Sequence, residues 1–400
     1  MKEQNILLTY ISLIFFCIPT AAMPGWFTAM ISAGRLAGFC WSALLFVEYG
    51  MYQKKQLCAI GAFLAAAAVS TLLSDGSLKQ FVIFAGGVFA CSVCTCRMIS
   101  MCGRRALNMI AVLLSVLVVI QGITILTGGI KEEIDANNIR NILYFFGHRV
   151  AISDVLTYSF ALALLAYPAA NRRERVLHIL GILAGTGFAL YEKVSTAIIT
   201  VLVFAAVAVG VNLMRGRRRW QIICIALLVF ALVFVLSGGF TRSFGWLLSG
   251  LGEDMTMNGR TLLWAQALDQ MSGADWLIGH GYGHSVFFNI GNWYVNTAHS
   301  QYMNVMFDFG ILGTVPYIVL CCRNLFDIRK IADNRRRAVA YAAIIAVVVT
   351  GIPTTIYKSV FFYIYLVIIG CWDELEIPGQ ERGVRLNLRR EPAVSRAGIA

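Results

Sequence analysis

"ILLTYISLIFFCIPTAAM" occupies Ile6–Met23, and its reading decides the fold. A cleaved secretory leader would end at a small-x-small site and hand over to a soluble domain. This run shows no obvious site of that kind, and more apolar runs follow it. It is therefore expected to stay as the first of many membrane helices. Runs of the length that crosses a hydrocarbon core, about 17–25 residues, recur along most of the chain. The 400 residues are 58% hydrophobic and 14% charged, with a mean hydropathy of +0.72, whereas soluble domains are about a quarter charged. In lipid the backbone must satisfy its own hydrogen bonds, so helices are the default. The short alternating segments of a transmembrane barrel are not seen.

The expected fold is thus an all-α polytopic membrane protein with about twelve transmembrane helices. They fall at roughly 5–23, 26–49, 57–73, 78–97, 106–126, 150–169, 176–191, 195–214, 220–239, 300–322, 338–353 and 357–372. Residues 1–372 read as one membrane domain with a large outer loop at 240–299, and 373–400 as a basic cytoplasmic tail, partly disordered. With these spans, alternate loops hold 24 of the 33 Lys and Arg. The positive-inside rule makes that side cytoplasmic, with both termini inside. The net charge of +12 is then a topology signal. It does not call for nucleic acid, although anionic lipid headgroups are natural partners. None of the eleven cysteines falls in an expected outer loop, so no disulfide framework is expected. Cys91, Cys94 and Cys96 read as small buried hydrophobes.

The long outer loop has its own pattern. "NGRTLLWAQALDQM" (258–271) spaces Trp264, Ala267, Leu268 and Met271 at i, i+3, i+4 and i+7. That is an amphipathic helix, lying on the membrane or capping the bundle, with Asn258 as N-cap. "GHGYGH" (279–284) follows, a tight turn whose glycines would let backbone approach a ligand.

Ionisable groups facing lipid are costly, so those that persist outside the cytoplasmic loops invite a functional reading. The nine remaining cations are Arg35, Lys79, Lys131, Arg140, Arg149, Lys193, Arg242, Arg260 and Lys358. Arg260 sits near the start of the amphipathic helix, where the helix dipole favours an anion and a guanidinium adds a bidentate fork; a solvated loop arginine is the alternative. Lys193 lies on a very short turn, where snorkelling or pairing with Glu192 competes with anion binding. Arg149 follows His148 at the outer mouth of the sixth span, with the same two readings. Arg35 is near mid-span, and Asp308 is a conceivable partner for it.

"NTAHSQYMNVMFDFGILG" (296–313) carries His299 where the long outer loop meets the tenth span. An imidazole there can accept a proton at neutral pH, which suits a general base. If both were helical, Asp308 would lie on the opposite face and about 13 Å further along the axis, so the two are not expected to form a dyad. His280, His284 and His299 make a weak zinc set, because two of them sit on a glycine turn without acidic support. No metal and no cofactor are expected.

These residues resemble the O-antigen ligase and O-antigen or capsule polymerase superfamily of bacterial membrane proteins. Ala298, His299, Ser300, Tyr302, Met303, Asp308, Gly310 and Gly313 fit its A-H-[NS]-x-[YF]-[LM]-x-x-x-x-[DE]-x-G-x-x-G run. Asn258, Gly259, Arg260 and Trp264, then Gly279, Gly281 and Gly283, fit an upstream [SN]-G-R-x-x-x-W segment closed by a G-x-G-x-G turn. The chain departs from the pattern at Glu192–Thr196, at Arg149 and Val150 after Gly147-His148, and in having Asp308 for a more usual Glu. The resemblance implies a metal-independent, inverting glycosyltransferase of the bacterial cytoplasmic membrane, acting on the extracytoplasmic side. Its donor would be an undecaprenyl-diphosphate-linked glycan. Its acceptor would be another glycan or a glycolipid, and other polysaccharide-assembly proteins would be partners. His299 would be the base, with Arg260, Lys193 and Arg149 binding the diphosphate and Asp308, Arg35 and His148 supporting. A flippase or transporter of lipid-linked glycans is the rival of another class. It would be expected to show repeated halves with broken helices at matching positions, which this sequence lacks.

Overall fold

A computed structural model of the chain describes residues 2–134, 140–210, 217–237, 259–290 and 293–376. Each expected span carries a helix. The first nine are α1 (Lys2–Cys17), α2 (Gly25–Glu48), α3 (Lys55–Leu73), α4 (Leu78–Cys102), α5 (Arg104–Leu126), α6 (Ser153–Ala166), α7 (Arg172–Tyr191), α8 (Ser195–Gly210) and α9 (Arg217–Leu236). The outer segment then forms α10 (Arg260–Gln270) and α11 (Asp275–Ile278), before α12 (Gln301–Ile328), α13 (Asn334–Thr350), α14 (Val360–Gly370) and the short α15 (Trp372–Glu376). Six helices, α2 to α5, α12 and Arg219–Leu236 of α9, are long and apolar enough to cross a membrane.

Polar caps set several boundaries. Asn171 and Glu174 form a reciprocal capping box at the start of α7, at 3.0 and 2.7 Å. Asp333 accepts from the Arg335 amide at 2.8 Å to open α13. The expected span at 357–372 contracts to the eleven residues of α14. Phe361–Ile369 are all buried, so α14 is a central core helix. Its short length leaves residues 351–359 as non-helical backbone inside the protein. Such backbone needs partners there, and Gln301 supplies them, as described below.

Loops fall into two groups that meet separately. On the basic side, Glu374 of α15 accepts from Lys54 and from the Ser100 hydroxyl, the latter at 2.8 Å, while Lys330 reaches Asp327 at 2.8 Å and Asp373 at 3.6 Å. Residues 373–376 of the expected tail are therefore helical and docked; 377–400 lie outside the described residues. On the other side, the Ser77 amide donates to Tyr282 O at 2.7 Å and the Gln301 amide to Gly351 O at 2.8 Å. Here a three-stranded antiparallel sheet, β1 (Lys131–Ile134), β2 (Arg140–Tyr144) and β3 (Gly147–His148), and the hairpin β4 (Phe288–Ile290) with β5 (Trp293–Val295) were not expected. Strands of two to five residues in a loop are too short to show a period beside membrane helices.

The feature that positions the site is a break in α12. Gly310 has φ +58° and ψ −160°, so the helical ladder stops after Phe309. The carbonyls of Phe307 and Asp308 take their hydrogen bonds from the glycine turn instead, His280 N at 2.8 Å and Gly281 N at 2.7 Å. The Ser70 hydroxyl adds a bond to Asp308 O at 3.0 Å. The broken helix is thus resatisfied from outside, as membrane-depth backbone must be. The close approach explains the glycines. A Cβ on Gly279 would lie 2.6 Å from the Asp308 carbonyl, and one on Gly281 would lie 2.7 Å from the Gly76 Cα. The turn expected to let backbone approach a ligand packs against protein backbone.

Candidate functional site

α10 caps the bundle with the face the spacing marked out. Trp264, Ala267 and Met271 are buried, together with Leu263. The Trp264 indole N–H donates to Ala298 O at 2.9 Å, tying α10 to the segment that presents His299. Asn258 lies outside the described residues, and Gly259, at φ +81°, occupies the N-cap position. Arg260 is the first helical residue, at the positive end of α10.

His299 is not in α12. Ser300 is the N-cap, and His299 holds a left-handed backbone at φ +47°. Asn304 secures this segment: its Oδ1 accepts from the Ala298 amide at 2.8 Å, and its Nδ2 donates to Thr297 Oγ1 at 2.8 Å and to Thr355 Oγ1. The imidazole is exposed, yet burial is the first cause that pushes its pKa down to about 4, followed by the charges of Arg260 and Lys358. At neutral pH the ring is uncharged and can accept a proton.

Asp308 is buried beneath. His284 Nε2 lies 3.2 Å from its Oδ1, the Tyr357 hydroxyl donates to Oδ2, and Lys358 Nζ is 3.6 Å from Oδ2. Tyr282, stacked on Phe84 at 4.8 Å, and Tyr357 carry the Lys358 ammonium over their rings at 5.0 and 5.4 Å. Burial first, then the Asp308 charge, raises the proton affinity of the Tyr282 hydroxyl. Arg35, for which Asp308 is a conceivable partner on sequence grounds, does not reach it. Arg35 instead donates to the carbonyls of Phe15 at 3.1 Å and Ile18 at 2.7 Å at the end of α1. The distance along the chain from Asp308 to α2 gave no hint of this, and the carbonyls freed at a helix end are an ordinary guanidinium target.

Gln301 braces the second wall. Its Oε1 accepts from the amides of Ile356 and Tyr357 at 2.5 and 2.6 Å. Gln301→Leu leaves both donors buried without an acceptor, at about 1–3 kcal/mol each. We expect faster hydrogen exchange at Ile356 and Tyr357 with α12 still protected; unchanged protection at those amides would show that Gln301 does not hold the loop.

Lys193 is exposed at φ +50°; Glu192, considered as its partner, accepts from the Tyr144 hydroxyl at 2.7 Å instead. His148 is exposed on β3, paired with Leu143. Arg149 opens a 3-10 turn, Arg149–Ile152, and its side chain lies outside the described residues. His280 packs against Phe307 with ring centroids 4.2 Å apart and planes tilted by 45°, and among the described residues no three His, Cys, Asp or Glu side chains come together to hold a metal. Sequence reading passed over Gln301, Asn304, Tyr357 and Lys358. Only Lys358 had a signal, as one of the few outward cations.

Fold and site together define a polytopic helical membrane protein with a histidine and cations gathered in the loops at one end. A family model described as O-antigen ligase matches residues 179–318, from α7 into α12, and this match supports the O-antigen ligase superfamily. No curated protein matches the chain.

Proposed function

We propose that the chain is a membrane glycosyltransferase that moves glycan from an undecaprenyl-diphosphate donor to a sugar hydroxyl outside the cytoplasm, as a surface-polysaccharide polymerase or O-antigen ligase. The observation that carries the reading is His299, held on a left-handed segment just before α12 by Asn304 and Trp264, with the charges of Arg260 and Lys358 bearing on its ring. His299 removes the proton of the acceptor hydroxyl, and the oxygen attacks the anomeric carbon from the face opposite the diphosphate. The bond from that carbon to the diphosphate oxygen breaks, the configuration inverts, and the leaving group keeps the electron pair. Its charge falls on Arg260, with Lys193 and Arg149 as further cations, so charge stabilisation needs no metal. Twelve spans, both termini in the cytoplasm of a bacterium, and a lipid tail lying between helices complete the reading. Among the rivals, a flippase draws on the break in α12. That break is a single one among the described residues, and the carbonyls it frees at Phe307 and Asp308 bond to the glycine turn.

The pH dependence tests the base. In kcat/KM the acid limb is expected near pH 4, with activity lost as His299 is protonated below it. A bound diphosphate offsets the two cations that depress the ring, so the limb in kcat should move upward toward the ordinary histidine range. An acid limb that stays in place when His299 is replaced would assign the titration to another group.

A further inference from the structure

We propose that Lys358 is a further phosphate-binding cation of the donor site, beside Arg260, held there by the buried carboxylate of Asp308. The inference rests on the diphosphate donor proposed above and gives Lys358 and Asp308 roles that the reading did not assign. Three observations carry it. First, the loop bearing Lys358 is fastened to the first turn of α12 through Gln301 and through Asn304, whose side chain also holds the His299 segment. Both walls of the mouth are therefore set by one helix end. Second, the Lys358 ammonium is only partly enclosed. Asp308 Oδ2 lies at 3.6 Å and two aromatic faces at 5.0 and 5.4 Å, while the side chain stays 38% exposed. An ammonium has three donors, and this arrangement leaves it able to bind outward. Third, Lys358 and Arg260 both act on the same imidazole. Two like charges converging on one site are unfavourable until an anion sits between them.

Asp308 is the positioning residue. Its side chain is only 3% exposed, and it lies two residues before the break at Gly310, where backbone bonds from His280 and Gly281 fix its main chain. His284 and Tyr357 hold its oxygens. The carboxylate cannot move to follow the lysine, so the lysine is fixed by the carboxylate. The charged groups bearing on His299 are Arg260 from α10 and Lys358 from the 351–359 loop, with Asp308 acting through Lys358.

The test uses the full-length chain in phosphatidylcholine nanodiscs, with undecaprenyl diphosphate as probe and undecaprenol as the phosphate-free control. Lys358→Gln should weaken diphosphate binding about tenfold, the loss of one charge-assisted contact, and Lys358→Arg should stay within about threefold. Because Lys358→Gln leaves Asp308 without its cation, the double variant Lys358→Gln/Asp308→Asn restores charge balance. It should keep wild-type thermal stability and still bind about tenfold more weakly. Lys358→Gln should also move the acid limb of kcat/KM upward, which a purely structural lysine would not do. Wild-type affinity in Lys358→Gln, or equal loss in Lys358→Gln and Lys358→Arg with no change in the pH profile, overturns the assignment alone. A wild-type chain that binds undecaprenol and undecaprenyl diphosphate equally overturns the donor reading and the inference with it.

Discussion

His299→Asn is expected to lower glycan transfer by about 10²–10⁴-fold, the usual contribution of a positioned general base, with the protein folded. Asparagine is the informative substitution because residue 299 sits at φ +47°, a region asparagine tolerates and most other side chains resist. The segment is held through neighbouring groups, by Asn304 on the Ala298 amide and by Trp264 on the Ala298 carbonyl. The exposed ring is not part of that scaffold, so thermal stability should not change. Transfer in reconstituted vesicles and unfolding by heat separate the two effects. Transfer that persists within a few-fold of wild type would remove His299 from the chemistry.

Gly310→Ala should strike the fold instead. Its φ of +58° is strained for any side chain, and a Cβ there would lie 2.5 Å from Leu277 C and 2.7 Å from Gly279 N. These are backbone atoms of the turn that resatisfies the broken helix, so neither can step aside. Strain and overpacking together should cost about 3 kcal/mol or more. A sharp fall in detergent-stable yield and in Tm is expected. Gly187→Ala in α7, where a Cβ meets nothing within 4 Å, serves as the control and should leave Tm unchanged or slightly higher. A Gly310→Ala protein as stable as the control would mean that α12 can run unbroken through Asp308.

The helices were legible because an apolar run must satisfy its own backbone hydrogen bonds, and a run such as Leu78–Cys102 does so without reference to any partner. Trp264, Ala267 and Met271 were legible for the same reason, a local period of 3.6. The chemistry of Asp308 was not. Its expected geometry assumed a helix from His299 onward, whereas His299 lies outside the helix and Gly310 ends its ladder. A glycine in an apolar run is ordinary in membrane helices, and only the arrival of Gly279 and Gly281 from another loop turns it into a break. Lys358, Tyr357 and His284 reach Asp308 from segments 24 to 50 residues away in sequence, and no local spacing records that meeting. Arg35 lies inside a helix as expected, but the conceivable pairing with Asp308 is not made, because its guanidinium is taken by backbone carbonyls at the end of α1, which leave no mark in the pattern of charges.

Purified full-length chain in sealed vesicles, given a lipid-linked glycan donor and an acceptor on the outer face, tests the central claim through one product. Free undecaprenyl diphosphate should appear in step with each new glycosidic bond, and neither should form with His299→Asn. Movement of intact donor across the bilayer, with no diphosphate released and no bond made, would contradict the account and favour a transporter.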